Sequence, residues 1–80
     1  MAGARKFELK VMNTEGVILR KPVESVFVQG DSTEFEILAF HYPVMSVFKG
    51  GKIIVDWKEY MPIKNGILKF SENECLILTD

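Results

Sequence analysis

Chemistry in this chain of 80 residues would have to come from few groups: one histidine, His41, one cysteine, Cys75, and the carboxylates Asp31, Glu34 and Glu36 that precede the histidine. Nucleophilic catalysis pairs a Ser or Cys with a basic partner, and only one imidazole exists to serve. Cys75 stands in "ECLILTD", an apolar terminal strand pattern in which a buried structural thiol is expected. Asp31, Glu34 and His41 could in principle gather round a metal, but their spacing matches no ligand motif. A zinc site of four Cys/His ligands needs more of both residues than the chain contains. No glycine-rich phosphate loop precedes a helix, and Gly50-Gly51 reads as a hairpin pair. No catalytic, metal or cofactor-binding residue is therefore expected. His41 and its neighbours, in "GDSTEFEILAFHYPVMS" (Gly30 to Ser46), then pose a question the residues alone leave open: whether the stretch is a surface that another protein contacts.

The distribution of charge says more than its sum. The total is balanced, with ten basic and eleven acidic residues and a net charge of −1, which argues against a nucleic-acid binder with its usual basic stripe. From Pro22 to Phe48, however, there is no Lys or Arg, only Glu24, Asp31, Glu34, Glu36 and His41. A solvated acidic face is the ordinary meaning of such a window.

Length allows a single domain, residues 1–80. A chain of this size buries only about 60% of its unfolded surface, and one cysteine provides no disulfide framework. No apolar run approaches the roughly 20 residues of a membrane span. The opening "MAGARKFELKV" has no apolar stretch of signal-peptide type after its basic residues. A soluble, cytoplasmic protein is expected.

The elements that would position these groups are strands. Apolar residues alternate with period two: Phe7, Leu9, Val11; Val26, Val28; Phe35, Ile37, Ala39; Ile53, Val55, Trp57; and Cys75, Ile77, Thr79. No segment shows a helical period. Turn chemistry separates the runs, in "NTEG" (13–16), "QGDS" (29–32), "KGGK" (49–52), "KNG" (64–66) and "SENE" (71–74). Asn65-Gly66 is the strongest hairpin signal, since both centres of a type I′ turn favour positive φ. Pro22, Pro43 and Pro62 suit strand starts or edges. Trp57 and Phe35 are expected in the core. The pattern predicts an all-β fold, an antiparallel β-sandwich, with almost no helix.

The ordered segments "FELKVMNTEGVI", "VESVFVQG", "TEFEILAFHYP", "GGKIIVDW", "KNGILKF" and "ECLILTD" resemble the N-terminal β-sandwich domain of the epsilon subunit of F-type ATP synthases. The likeness runs from Phe7 to Asp80. It departs where Thr33, Glu36 and Phe40 replace family glycines and Tyr42 replaces a small residue, so the loop is not expected to copy every family geometry. The helical hairpin that follows the sandwich in many members has no counterpart here. That leaves a naturally short form or a truncated chain, and the opening "MAGARK" without a tag favours the short form.

The resemblance implies a non-catalytic rotor subunit of a proton- or sodium-translocating synthase. It would dock on the gamma subunit and the c-ring, at the cytoplasmic face of the bacterial inner membrane, and reach the membrane only through the complex. It also implies a c-ring-facing loop of Asp31, Ser32, Thr33, Glu34, Glu36, Phe40, His41 and Tyr42, with Asn13 and Ser46 toward gamma. No cofactor and no nucleic acid are implied. Two rivals stay open: an unrelated free-standing β-sandwich interaction or ligand-binding module, and an OB-like nucleic-acid binder, which the acidic window opposes.

Overall fold

Nine strands account for most of the chain in a computed structural model that describes residues 5–80. Residues 1–4, the start of "MAGARK", lie outside the described part. The strands are β1 (Phe7–Asn13), β2 (Gly16–Val23), β3 (Ser25–Gly30), β4 (Glu34–Leu38), β5 (Val44–Lys49), β6 (Gly51–Val55), β7 (Glu59–Pro62), β8 (Asn65–Ser71) and β9 (Glu74–Thr79). They form a first sheet ordered β2-β1-β9-β8-β5 and a second ordered β4-β3-β6-β7. Among the described residues there is no helix. The predicted sandwich is what forms, with one exception to its antiparallel character: β1 and β9 pair in parallel, Leu9 opposite Cys75 and Val11 opposite Ile77.

The period-two runs supply the core. Phe7, Leu9, Val11, Val26, Val28, Ile37, Ile53, Val55, Leu68, Phe70, Cys75 and Ile77 are buried between the sheets, and the Phe7 and Phe70 rings meet edge-on at 5.4 Å. Phe35 packs partly buried against them. Trp57 does not, being 56% exposed. Strand β6 ends at Val55 and the chain reverses through Asp56 and Trp57, both with positive φ (53° and 56°). The alternation that pointed Trp57 inward therefore stops two residues short, at Val55.

Two turn expectations are also corrected. Asn65-Gly66 is not a hairpin tip; it begins β8, where Gly66 pairs with Phe48 and with Thr79. Gly50-Gly51 is not a hairpin either, because it carries the chain from β5 in the first sheet to β6 in the second. Both glycines have positive φ (56° and 130°) and a Cβ on Gly51 would fall 1.9 Å from the Gln29 carbonyl oxygen, so only glycine turns this corner. The left-handed pair of a two-residue hairpin is Glu72-Asn73, at φ 50° and 59° between β8 and β9. The prolines sit as expected, Pro22 and Pro62 on the edge strands β2 and β7 and Pro43 just before β5.

Candidate docking surfaces

Strand direction decides which loops share an end of the sandwich. The β3–β4 loop carries Asp31, Ser32 and Thr33, with Glu34 opening β4. The Asp31 amide donates to the Lys49 carbonyl at 2.9 Å and the Gly50 amide to Lys64 at 2.6 Å. Asn65 on this end donates to the Asp80 carboxylate at 2.9 Å. Parallel pairing of β1 with β9 brings Asn13 to the same end, where its side-chain oxygen accepts from the Glu15 amide at 2.8 Å and shapes the β1–β2 turn.

Phe40, His41 and Tyr42 follow β4 and lie at the opposite end. The five residues of β4 put roughly 17 Å between the two groups, at about 3.4 Å per residue. The stretch expected to act as one loop is thus divided, and Asp31 and Glu34 do not converge with His41 on a metal. At this second end Asn73 ties three segments together. Its side-chain oxygen accepts from the Phe40 amide at 2.7 Å, its side-chain nitrogen donates to the Lys6 carbonyl at 3.0 Å, and its carbonyl accepts from Glu8. Phe40 itself holds φ 63°, a left-handed backbone that glycine adopts more readily. The Arg5 guanidinium stands 5.6 Å from its ring. The His41 ring contacts Tyr42 at 4.4 Å and Phe70 at 5.9 Å, and its Nδ1 lies 2.7 Å from the Tyr42 carbonyl. A carbonyl only accepts, so Nδ1 carries the proton and Nε2 is left to bond elsewhere.

Glu34, at the Asp31 end of β4, and Glu36 both face away from the core. They share the outer side of β4, Glu34 accepting from Gln29 at 3.2 Å and Glu36 from the Trp57 indole at 2.9 Å. Ser46 lies on the inner side of β5 with Val44 and Phe48, and is partly buried; Met45 and Val47 are what β5 presents outward.

The outer side of the first sheet bears a feature the sequence reading missed. Register aligns Val47, Ile67, Leu78, Met12 and Val17 in one row across all five strands. Val47 is 66% exposed and Leu78 44%. Five apolar residues from five strands make a continuous stripe of roughly 19 Å at about 4.8 Å between strands. The next row, Met45, Lys69, Leu76, Lys10 and Arg20, is largely basic, and beyond it Glu8 pairs with Arg20 at 2.9 Å. Val47, Ile67 and Leu78 each looked like the unremarkable outer residue of a strand; only pairing joins them. On the sandwich's edge Lys21 of β2 makes an ion pair with Glu59 of β7, joining the two sheets.

Cys75 is buried in the core, and burial pushes its thiol up to about 12. It remains a packed, protonated group. Among the described residues no three His, Cys, Asp or Glu side chains gather as a metal site, and no helix is long and apolar enough to cross a membrane. What the surface offers is contact area.

Known proteins share this arrangement. The family model "ATP synthase, Delta/Epsilon chain, beta-sandwich domain" matches residues 6–80. Curated relatives called ATP synthase epsilon chain include one from Caldicellulosiruptor saccharolyticus, 32% identical over 94% of this chain and 57% of its own length. Another, from Desulfitobacterium hafniense, is 35% identical over 100% of this chain and 61% of its own. The chain thus spans little more than half the length of these relatives. Among solved structures, a chain of the Euglena gracilis mitochondrial ATP synthase, in a structure of OSCP, F1 and c-ring, superposes with a TM-score of 0.81 at 18% identity. It covers 98% of this chain and 53% of that one. A chain from the central stalk and c-ring of the Tetrahymena thermophila enzyme gives 0.78 at 11% identity, over 98% and 66%. At those identities the structures establish a common fold.

Proposed function

The chain belongs to the ATP synthase delta/epsilon chain β-sandwich family, and on that premise we propose that it is a non-catalytic subunit of the central stalk, turning with the rotor of an F-type ATP synthase. Its first sheet lies against the gamma subunit, and the end that carries Asp31 to Glu34 faces the c-ring. The observation that carries this reading is the aliphatic row Val47, Ile67, Leu78, Met12 and Val17. Apolar side chains in a continuous exposed stripe favour burial against a partner. Of the two positions implied to face gamma, Asn13 follows Met12 at the end of β1, whereas Ser46, next to Val47, lies on the inner side of β5. In this reading Phe40, His41 and Tyr42, which adjoin β5 at the far end of the same sheet's edge, extend the gamma surface.

A subunit that only transmits rotation needs a stiff body and specific contacts. Two sheets packed over one apolar core resist shear, and the loops at either end are free to carry recognition. Carboxylates at Asp31 and Glu34 set orientation and encounter rate against a basic partner more than they set affinity. In such a complex the chain associates with the membrane only through its partners, at the cytoplasmic face of a bacterial inner membrane.

Mixing the purified chain with an ATP synthase gamma subunit and measuring the complex by sedimentation tests the reading. Val47→Asp and Leu78→Asp, both on the exposed side of the sheet, should each weaken the complex at least about tenfold, a change of about 1.4 kcal/mol. Their urea midpoints should stay near that of the parent chain. Undiminished binding by both variants would refute gamma docking on this face.

A further inference from the structure

The outer side of the first sheet is banded by charge. Beside the aliphatic row, toward the end that carries Phe40, runs the row Met45, Lys69, Leu76, Lys10 and Arg20. Beyond it stand the carboxylates Glu74 and Glu8, aligned by the parallel pairing of β9 with β1. Apolar, basic and acidic bands thus follow one another at intervals of about 7 Å, two residues of strand. The other flank of the aliphatic row carries no net charge: Lys49 pairs with Asn65, whose side chain donates to the Asp80 carboxylate.

The cations of the middle band differ in what holds them. Arg20 donates from Nε to Glu8 at 2.9 Å, and its side chain is still 63% exposed. Its other N–H groups remain to meet a second acceptor. Lys69 is exposed and Lys10 half-buried, and among the described residues neither makes an ion pair. A cleft of about 190 Å³ is lined by Lys10, Arg20, Glu8, Glu74, Cys75 and Leu76. A partner that covers the aliphatic row also strips water from this band, which lies within a screening length of about 8 Å. Leaving Lys10 and Lys69 desolvated without acceptors would oppose the gain from apolar contact.

We propose that the basic band determines specificity on this docking face. It selects a protein partner whose apolar patch is bordered on one side by Asp or Glu, and it fixes which way round that partner sits. The inference rests on the gamma reading above and adds the chemistry that gamma must present. One carboxylate meets Lys69, and a second enters the cleft between Lys10 and Arg20, where Glu8 already orients the guanidinium. Turned end for end, the same partner would place its carboxylates on the uncharged flank beside Asp80. Lys10 and Lys69 would then be covered without acceptors, so the reversed pose is disfavoured.

Association of the chain with the gamma subunit of its own synthase, followed by surface plasmon resonance as salt is raised, tests the proposal. The association rate of the parent chain should fall with salt. Lys10→Glu with Lys69→Glu should slow association at least about tenfold at low salt and reverse that trend. Lys10→Gln with Lys69→Gln, closer in size and uncharged, should flatten it. Val47→Asp should weaken the complex at every salt concentration. If both lysine pairs bind like the parent while Val47→Asp binds weakly, gamma docking stands and the basic band has no part in it. If the lysine pairs bind weakly and Val47→Asp binds fully, the band is a docking element and the aliphatic row is not. No complex with gamma at any salt would overturn both readings. Sedimentation with phosphatidylglycerol vesicles as tight as with gamma, and lost in the lysine pairs, would assign the band to a lipid surface and overturn the proposal.

Discussion

The ring of Phe48 occupies the space that a side chain at Gly66 would need. A Cβ built on Gly66 would lie 2.6 Å from the Phe48 Cζ atom and 3.0 Å from both Cε atoms. The two residues are cross-strand partners in β5 and β8, and Phe48 is buried because the missing side chain lets it lie there. Gly66 is present for packing, although "NG" is also the commonest hairpin dipeptide.

Gly66→Ala should therefore destabilise the fold by about 1–3 kcal/mol, the usual range for overpacking. Equilibrium urea unfolding measures it. Phe48→Leu should offset part of the loss in the double variant, giving a non-additive cycle; strict additivity would mean the ring and the glycine are not coupled.

Asn73 combines a left-handed backbone with bonds to Phe40 and Lys6. Asn73→Gly retains the conformation and loses the side-chain bonds, at about 1 kcal/mol each. Asn73→Ala loses both and should be the more damaging by a further 1 kcal/mol or so. A reversed order in thermal unfolding would show that the turn, and not the bridge, is unimportant here.

Phe40 is 63% exposed and sits at φ 63°. Phe40→Gly removes little buried surface and relieves a backbone cost of about 1–2 kcal/mol, less the entropy that glycine adds to the unfolded chain. Stability should rise, or at least not fall, by calorimetry. A clear loss would mean the Arg5 contact outweighs the strain.

Burial raises the Cys75 thiol from 9.0 to about 12, and the sign of its effect on stability follows. The unfolded chain loses the proton at lower pH than the folded one, so this contribution is complete below pH 9 and declines as pH rises toward 12. Cys75→Val should flatten that part of the stability profile. Thiol reagents should label native protein only as fast as it unfolds; rapid labelling would contradict the buried placement.

Glu34 projects from the second sheet's outer side and accepts from the Gln29 side chain. Glu34→Lys should leave stability within about 0.5 kcal/mol. Assembly with c-ring-containing membranes should weaken by about 1 kcal/mol, less at high salt, where exposed charges are screened. If Glu34→Lys unfolds the chain, or salt-dependent assembly is unchanged, Glu34 has no part in a c-ring contact.

Alternation along "FELKV", "SVFV", "FEILA", "KIIV" and "ECLILT" determined by itself that the chain is all-β, and it named much of the core, though not Val23, Phe48, Ile63, Leu68 or Phe70, because a strand's inward face depends only on a local period of two. Turn composition likewise placed most breaks. The family's ordered segments were legible for the same reason, as a pattern along the chain. Sheet membership was not. Whether Asn65-Gly66 turns the chain or accommodates Phe48, and whether Gly50-Gly51 makes a hairpin or a corner, depends on partners distant in sequence. Tertiary structure also divided the acidic loop from Phe40, His41 and Tyr42, since a strand that reads as a few letters spans the whole sandwich. The aliphatic row exists only through register. Val47, Ile67, Leu78, Met12 and Val17 come from five strands, and backbone pairing between those strands, not any local signal, brings them into line.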